Sequence, residues 1–378
     1  MEKKILERKD DYRTLEFSKS RKIFTNKKHA FGANLLFIDS PVGAGYSYSN
    51  NSWDLLWNGD KRTAEDALVF LVEWMKKFPD YRERDFYITG ESYAGHYIPQ
   101  LAQAILWSQR WELIKTINLK GFMVGNPLTD DFYDYLGAFE FKWVNGLISA
   151  DTYQLLNLFC KYDSFLKPSP ACKKILDRAV EELGEIDRYS IYTPACTENS
   201  TSNSPLTGLH QLLERLHEPY DPCYDNHVAI YFNTPEVQEA LHVDPDVANA
   251  TWLPCNHVVS KNWKDTAKSV LPIYRELMFS GLRIWVFSGD TDSVIPVTST
   301  RYWIESLNLP TVTPWHPWHE DGQVGGWAQE YKGLTYVTVR GAGHLVALHR
   351  PKLALAVFKA FLSGIQLSPS PPSAISEP

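Results

Sequence analysis

Short apolar segments alternate with helix-like segments along most of the chain. Five apolar segments, most of them followed by Gly, Pro or Asp, are predicted as buried strands: Asn34–Asp39, Asp85–Thr89, Leu119–Val124, Arg283–Ser288 and Leu334–Val339. Three segments with apolar residues at helical spacing are predicted as helices: Lys61–Phe78, Pro99–Trp107 and Pro351–Leu362. This alternation predicts an α/β fold with a mostly parallel, doubly wound sheet.

The pattern changes between residues 150 and 226. Two stretches there have helical periodicity, a polar loop follows them, and four of the five cysteines lie in the same region. We therefore predict a helical cap, residues 150–226, inserted into a sheet domain formed by residues 31–149 and 227–366. Residues 1–30 fall outside this domain, and the Pro- and Ser-rich tail, residues 367–378, is predicted to be disordered.

The composition is typical of a globular protein that acts on small molecules or peptides. With 378 residues, of which 44% are hydrophobic, the chain can bury a large core. Its formal net charge of −7 gives no support for binding nucleic acid, which needs an excess of Lys and Arg on some face. No run of about eighteen apolar residues is present, so no membrane span is predicted. The charged first thirty residues lack the apolar core of a secretory signal peptide.

The cysteines and the sequons indicate an oxidising compartment despite the missing signal peptide. The five cysteines show no C-x-x-C spacing, so zinc and thioredoxin-like sites are not expected, and their odd number suggests that one has lost its partner. Three N-x-S/T sequons begin at Asn50, Asn199 and Asn249. They are compatible with a secreted glycoprotein.

No metal or cofactor is predicted. His316 and His319 stand near Glu320 and Asp321, but the Pro-Trp spacing and the lack of a helix disfavour a metal site. We predict this stretch as a loop that connects strands. The aromatic residues expected to pack the loop and the following strand are Trp315, Trp318, Trp327, Tyr331 and Tyr336. The turn PVGAGYS does not match a dinucleotide-binding fingerprint.

A serine, an aspartate and a histidine follow three of the predicted strands. Ser92 lies in GESYAG between a strand and a helix, the context of a nucleophile elbow, although the motif alone is weak. Asp290 and Asp292 follow a later strand, and His344 lies on a Gly-rich loop after the last one. Ser, then Asp, then His is the chain order of α/β-hydrolase triads. Because sites in open α/β sheets gather at the carboxyl ends of strands, these residues are expected to meet.

At these motifs the sequence resembles a known family. GESYAGHYIP, SGDTDSVIP and GAGHLVALHRP, together with DSPVGAGYSYSN and VGNPLTDDFYDYLG, resemble serine carboxypeptidases, particularly the plant members, over roughly Phe31 to Gly364. The resemblance implies an α/β-hydrolase fold with a helical cap. It also implies Ser92 as nucleophile, Asp292 as the triad acid and His344 as base, with Asp290 as a turn-forming neighbour.

The implied reaction is release of the C-terminal amino acid of a peptide or protein through an acyl-enzyme. The backbone N–H of Tyr93, the residue after the nucleophile, would supply one oxyanion donor. In the family the glutamate matching Glu91 recognises the substrate's carboxylate, which requires Glu91 to be protonated and implies activity at acid pH. By the same analogy Leu345 helps to line the pocket for the leaving residue.

The resemblance also implies covalent links and a location. It pairs Cys160 with Cys172 and Cys196 with Cys223, and it leaves Cys255 unpaired. Members of the family are expected in the secretory pathway, in the vacuole or outside the cell. The oligomeric state, including a homodimer, is left open.

One part of the family pattern is absent from the sequence. Family members carry, upstream of the strand that matches Asn34–Asp39, a strand ending in Trp-Asn-Gly-Gly-Pro-Gly-Cys-Ser. That motif supplies a second oxyanion donor and a partner of Glu91. Because this strand lies inside the sheet, we expect the N-terminal strands to be incomplete, with unpaired edges and exposed apolar faces. We hypothesise that the chain is an alternative or incomplete product of a longer carboxypeptidase gene.

Two other functions remain open. Relatives of this family have become acyltransferases, which pass an acyl group from a glucose ester to an alcohol. They tend to carry Asp at the position of Glu91, so the sequence favours the peptidase. The missing oxyanion loop keeps open a third case, a catalytically impaired or non-catalytic homologue.

Overall fold

The computed structural model describes residues 32–51, 53–111, 117–196, 220–244, 251–253 and 255–369. These residues form two compact units. One is drawn from Met1–Gly59 and Tyr224–Lys264, and the other from Asp60–Cys223 and Asp265–Pro378. The predicted division into a sheet domain and a cap, with its boundaries, stays a prediction.

Strands and helices alternate in the order expected of an α/β protein. The strands are β1 (Phe86–Glu91), β2 (Leu119–Gly125), β3 (Arg283–Gly289), β4 (Thr311–Glu320), β5 (Gln323–Tyr331) and β6 (Leu334–Val339). The first helices are α1 (Trp53–Leu56), α2 (Asp60–Lys77), α3 (Ala94–Arg110), α4 (Asp131–Val144), α5 (Ala150–Phe159) and α6 (Pro170–Leu183). The others are α7 (Tyr224–Phe232), α8 (Pro235–Leu241), α9 (His257–Lys261), α10 (Leu271–Met278), α11 (Val297–Ser306), α12 (Val346–His349) and α13 (Pro351–Ser363).

All six strands belong to one mixed sheet with the order β1-β2-β3-β6-β5-β4. The pairs β1–β2, β2–β3 and β3–β6 are parallel, and the pairs β6–β5 and β5–β4 are antiparallel. The predicted α/β fold with a mostly parallel sheet is confirmed. Because the parallel strands run the same way, the loops after β1, β3 and β6 lie at one edge of the sheet.

The prediction of a strand at Asn34–Asp39 is wrong. The backbone there is irregular, and the side chains of Leu35 to Ile38 are exposed, with Phe37 86% accessible. Among the described residues no strand pairs with this segment, and an apolar run without a hydrogen-bonded neighbour does not form a strand. Among the described strands β1 is the outermost on its side of the sheet.

The prediction of a connecting loop around His316 is also wrong, because these residues form strand β4. β4 and β5 form an antiparallel hairpin closed by Asp321 and Gly322, whose φ angles are 49° and 73°. Two consecutive residues with positive φ are the geometry of a tight hairpin turn, which favours Asp-Gly. Pro314 and Pro317 are tolerated because β4 is an edge strand.

The sheet is covered on two faces, and a third apolar cluster lies among helices. One face packs against α2, α3, α10 and α11 around Phe122, Tyr274 and Trp303. The other packs against α13 around Trp285 and Phe361. Helices α4, α5 and α6 share the third cluster, which includes the Cys160–Cys172 disulfide. Among the described residues no helix combines the length and the apolar composition that crossing a membrane requires.

The unit drawn from Met1–Gly59 and Tyr224–Lys264 contains α1, α7, α8 and α9 and no strand among its described residues. Side-chain hydrogen bonds join its two segments. Asn256 Nδ2 donates to the carbonyl of Gly43 at 2.8 Å, and the Tyr48 hydroxyl donates to Asp244 Oδ2 at 3.1 Å. Gly43 has a φ of 90°, in the region that favours glycine, and a Cβ there would also lie 2.9 Å from the Val259 side chain.

Candidate active site

Ser92 lies on a sharp turn between β1 and α3. Its φ is 63°, in the left-handed region that residues other than glycine rarely adopt. The Ser92 N–H donates to the carbonyl of Gly125 at 2.9 Å, which ties the turn to β2. A Cβ at Gly90 would lie 2.7 Å from the Ala94 side chain, and one at Gly95 would collide with the carbonyl of Leu128. The turn therefore has the strained, small-residue geometry of a nucleophile elbow.

His344 and Asp292 form a buried hydrogen-bonded pair. His344 Nδ1 lies 2.7 Å from Asp292 Oδ2, and the two residues are 3% and 0% exposed. Burial by itself lowers the pKa of His344, but the carboxyl groups of Asp292, Glu91 and Asp187, with Asp292 first, together outweigh it and raise this pKa above its ordinary value. The contact favours the tautomer that carries its proton on Nδ1, which leaves Nε2 to accept a proton.

Asn126 holds the Asp292 carboxylate in place, a role that the sequence analysis missed. Asn126 Nδ2 donates to Asp292 Oδ2 at 2.9 Å, and Asn126 Oδ1 accepts the Gly289 N–H at 3.0 Å. The backbone N–H groups of Val294 and Ile295 donate to the two carboxylate oxygens at 2.8 and 3.2 Å. A polar residue directly after the buried strand β2 was the available signal.

Asp290 has a different partner from its neighbour. Its Oδ1 accepts the backbone N–H of Gly341 at 2.7 Å, so it joins the loop after β3 to the loop after β6. Burial raises the pKa of Asp290. This geometry agrees with a turn-forming neighbour, while the hydrogen bond to the histidine belongs to Asp292.

Glu91, at the end of β1, has a strongly shifted carboxyl group. Burial raises the pKa of Glu91 to about 7, and the nearby Asp292 carboxylate acts in the same direction. The charge of His344 and the backbone N–H of Val346 oppose this shift but do not cancel it. Glu91 is therefore mostly protonated below pH 7.

A buried polar network fixes the start of α3 beside Ser92. The Tyr93 hydroxyl donates to Asp60 Oδ1 at 2.7 Å, Gln100 Nε2 donates to Asp60 Oδ2 at 3.0 Å, and His96 Nδ1 lies 3.1 Å from Oδ2. The Tyr93 and His96 rings stack with centroids 4.9 Å apart. Burial by itself raises the pKa of Asp60, but these hydrogen bonds outweigh it and lower this pKa. The sequence analysis did not find this network, since Asp60 lies 33 to 40 residues away from its three partners.

The comparisons with known proteins agree with this geometry. The family model described as serine carboxypeptidase matches residues 19–364. The chain belongs to this family. It is 58% identical to serine carboxypeptidase-like 29 of Arabidopsis thaliana over 89% of this chain and 70% of that protein. It is 52% identical to serine carboxypeptidase II-1 of Hordeum vulgare over 82% of this chain and 95% of that protein.

Comparison with a solved structure shows that this chain has the expected α/β-hydrolase fold. The structure is that of KEX1(DELTA)P, a prohormone-processing carboxypeptidase from Saccharomyces cerevisiae. The two share 22% sequence identity with a TM-score of 0.69, over 87% of this chain and 74% of the yeast chain. The resemblance to serine carboxypeptidases and the α/β-hydrolase fold are both confirmed.

Both disulfides that the serine carboxypeptidase resemblance implies are present. Cys160 is bonded to Cys172, and Cys196 is bonded to Cys223. Cys255 is free and exposed.

The remaining predictions concern the glycosylation sites, the pocket residue Leu345 and metal binding. The sequon residue Asn50 is exposed, whereas Asn199 and Asn249 lie outside the described residues. Leu345 directly follows His344 and is half-buried, and its role in a pocket stays a prediction. In the described part of the chain no group of three His, Cys, Asp or Glu residues could hold a metal ion, and His316 lies on the edge strand β4.

Proposed function

We propose that this chain is a serine-type carboxypeptidase that releases C-terminal amino acids through an acyl-enzyme. Its family and its fold support a carboxypeptidase-type hydrolase. The observation that carries the proposal is the buried 2.7 Å contact between His344 Nδ1 and Asp292 Oδ2. It lies at the same edge of the sheet as the strained turn of Ser92. A histidine that is held in this way by a carboxylate can act as the base that activates a serine hydroxyl.

In the proposed reaction each group has one task. His344 Nε2 takes the proton of the Ser92 hydroxyl as Oγ attacks the last peptide carbonyl, and the Tyr93 N–H donates to the oxyanion. His344 then gives the proton to the leaving amine, and the peptide bond breaks. A water molecule, deprotonated by His344, then attacks the ester carbonyl, the bond between the acyl carbon and Oγ breaks, and His344 returns the proton to Ser92 Oγ. Asp292 stabilises the imidazolium at each step without taking its proton.

Glu91 is the proposed recognition group for the substrate's carboxylate. A protonated carboxyl can donate a hydrogen bond to a carboxylate, whereas two ionised carboxylates repel each other. The pKa of about 7 keeps Glu91 protonated through the acid range. Activity is thus expected to fall at high pH as Glu91 ionises, and to fall at low pH as His344, whose pKa is raised, takes up a proton.

The test is the release of the last amino acid from N-blocked dipeptides at several pH values from about 5 to 7, where Glu91 is at least half protonated and the deprotonated fraction of His344 grows with pH. Release that the Ser92→Ala variant loses would support the proposal. Transfer of an acyl group from a glucose ester to an alcohol, without peptide cleavage, would identify an acyltransferase instead. If a folded sample shows neither reaction, and an active-site fluorophosphonate does not label Ser92, the chain is an impaired homologue.

We also propose that the protein matures in the secretory pathway. Disulfides persist in oxidising compartments, and the structure contains two of them. Expression in plant cells should give a glycan on the exposed Asn50. A mass shift on glycosidase treatment that Asn50→Gln reduces would support this location, and an unmodified protein with free thiols would contradict it.

A further inference from the structure

A short segment between α6 and the second disulfide contacts the loops of both the acid and the base. We call this segment, Asp187–Thr193, the strap. Its contact with the acid loop is made of hydrogen bonds. The carbonyl of Arg188 accepts the Ser293 N–H at 3.0 Å and the Ser293 hydroxyl at 2.8 Å, and the Ile191 N–H donates to the carbonyl of Thr291 at 3.1 Å. The strap is thereby fixed to the two residues that flank Asp292.

The strap also contacts the base directly. The backbone N–H of His344 donates to the carbonyl of Tyr189 at 2.7 Å. The Tyr189 ring lies against the imidazole, with ring centroids 4.8 Å apart at 37°. A Cβ at Gly343 would collide with this same carbonyl, so the close approach requires glycine before the histidine. Tyr189 is 42% exposed, and it therefore lies between the imidazole and solvent.

The start of the strap is held from a second direction. Asp187 Oδ1 accepts the Tyr189 N–H at 2.9 Å, and the Tyr220 hydroxyl hydrogen-bonds to the Asp187 carboxylate. The Tyr220 ring stacks on His349, which lies at the end of α12, with centroids 3.8 Å apart. Through Asp187 and Tyr220 the strap is linked to the helix that follows the base.

We propose that Tyr189 is a positioning residue for His344. The strap fixes the backbone of the base loop against the acid loop, and the Tyr189 ring restricts the imidazole to the orientation in which Nδ1 meets Asp292. The contact on which this proposal rests is with His344, so Tyr189 acts through the base. This inference rests on the proposed triad. Displacement of a reacting group by about 1 Å can cost on the order of 100-fold in rate.

Three variants separate positioning from folding. Tyr189→Ala removes the ring and should lower kcat by about 10- to 100-fold, with KM little changed, because the substrate still binds while the base is misplaced. Tyr189→Phe retains the ring and should keep near-parental kcat. Tyr192 lies on the same strap but is 76% exposed, so Tyr192→Ala is the matched control and should behave like the parent.

The titration of His344 gives a readout that does not need turnover. Burial lowers the pKa of this imidazole, and the titratable groups that face it, Asp292, Glu91 and Asp187, each raise it when they are ionised. Removing the Tyr189 ring admits water and weakens the effect of burial, so the pKa should rise. Asp187→Asn removes a favourable negative charge, so the pKa should fall.

Both shifts can be followed by NMR of ¹³C-labelled histidine, with His344→Gln to assign the signal. A parental kcat and an unmoved His344 titration in folded Tyr189→Ala would overturn the inference. If Tyr189→Ala does not fold, Tyr189→Leu takes its place, because it keeps apolar bulk without the ring: a parental kcat and an unmoved His344 titration in folded Tyr189→Leu would also overturn it. If the parent releases no amino acid, the proposed function fails, while the titrations still test the strap.

Discussion

Replacement of Glu91 by Gln separates protonation from hydrogen bonding at the substrate's carboxylate. Burial raises the pKa of Glu91 from 4.5 to about 7. The C-terminal carboxyl of a substrate has a pKa of roughly 3.5, so it is almost fully ionised above about pH 5. Only protonated Glu91 can donate a hydrogen bond to it. KM of the parent should therefore follow the ionisation of Glu91, and KM of Glu91→Gln should not change with pH in that way.

The shifted pKa sets where KM changes. With a pKa of about 7, ionisation of Glu91 alters KM by only about a tenth between pH 4 and 6, and by about tenfold between pH 6 and 8. With the ordinary pKa of 4.5, the same relation would give a rise of roughly 25-fold between pH 4 and 6. The two cases differ most below pH 6.

The assay is initial-rate kinetics on a blocked dipeptide at several pH values from 4 to 8, for the parent and for Glu91→Gln. Glu73→Gln, on the surface of α2 where Glu73 pairs with Lys76, is the matched control for loss of a carboxylate. A steep rise of KM below pH 6 in the parent would refute the shifted pKa. A rise above pH 6 that persists in Glu91→Gln would refute the role of Glu91.

Three further predictions concern the acid, its amide partner and a disulfide. Asp292→Asn should lower kcat about 10⁴-fold, because the imidazole loses the carboxylate that holds its tautomer, and an unchanged kcat would remove Asp292 from the mechanism. Asn126→Ala should lower the free energy of unfolding in urea by about 1–3 kcal/mol, because Asp292 and Gly289 lose a buried partner, and equal stability would contradict this. Replacement of both Cys160 and Cys172 by Ala should lower the free energy of unfolding by about 3 kcal/mol, because the disulfide closes a loop with a 12-residue separation and so reduces the entropy of the unfolded chain. An unchanged urea midpoint would contradict this prediction.

Strands with buried neighbours were predictable from the sequence. Leu334–Val339 agrees with β6 at both ends, and β1, β2 and β3 differ from their predicted bounds by one or two residues. Local apolar pattern and a following glycine suffice for such strands. Helix α3 begins at Ala94, before the predicted start at Pro99. A proline inside a helix leaves one carbonyl without its bond, and here the Tyr274 hydroxyl donates to that carbonyl, of Gly95, at 3.4 Å.

The errors occurred where local pattern competes with sheet context. Asn34–Asp39 has the composition of a central strand, but a strand also needs neighbours, which the local pattern does not reveal. The hairpin of β4 and β5 was missed because two prolines and the polar residues of β4 outweighed the Asp321-Gly322 signal. An edge strand accepts both features, since one side of its backbone is unpaired.

The candidate triad could be predicted because its three members follow three strands in a recognisable chain order. Asn126 and Asp60 could not be assigned in this way. Asn126 is 166 residues from its partner Asp292, and Asp60 is 33 residues from its partner Tyr93. These hydrogen bonds therefore form only when the sheet has folded. Buried polar groups of this kind support an active site without forming a sequence motif.

The strap holds the two catalytic loops with main-chain atoms at Arg188, Tyr189 and Ile191. Carbonyl and N–H groups are common to almost all residue types, so substitutions at Arg188 or Ile191 leave these hydrogen bonds available unless proline replaces Ile191. Substitutions at these positions can therefore change the charge beside the site without moving the loops that carry Asp292 and His344. Relatives are then expected to vary more at Arg188 and Ile191 than at Tyr189, whose side chain contacts the imidazole.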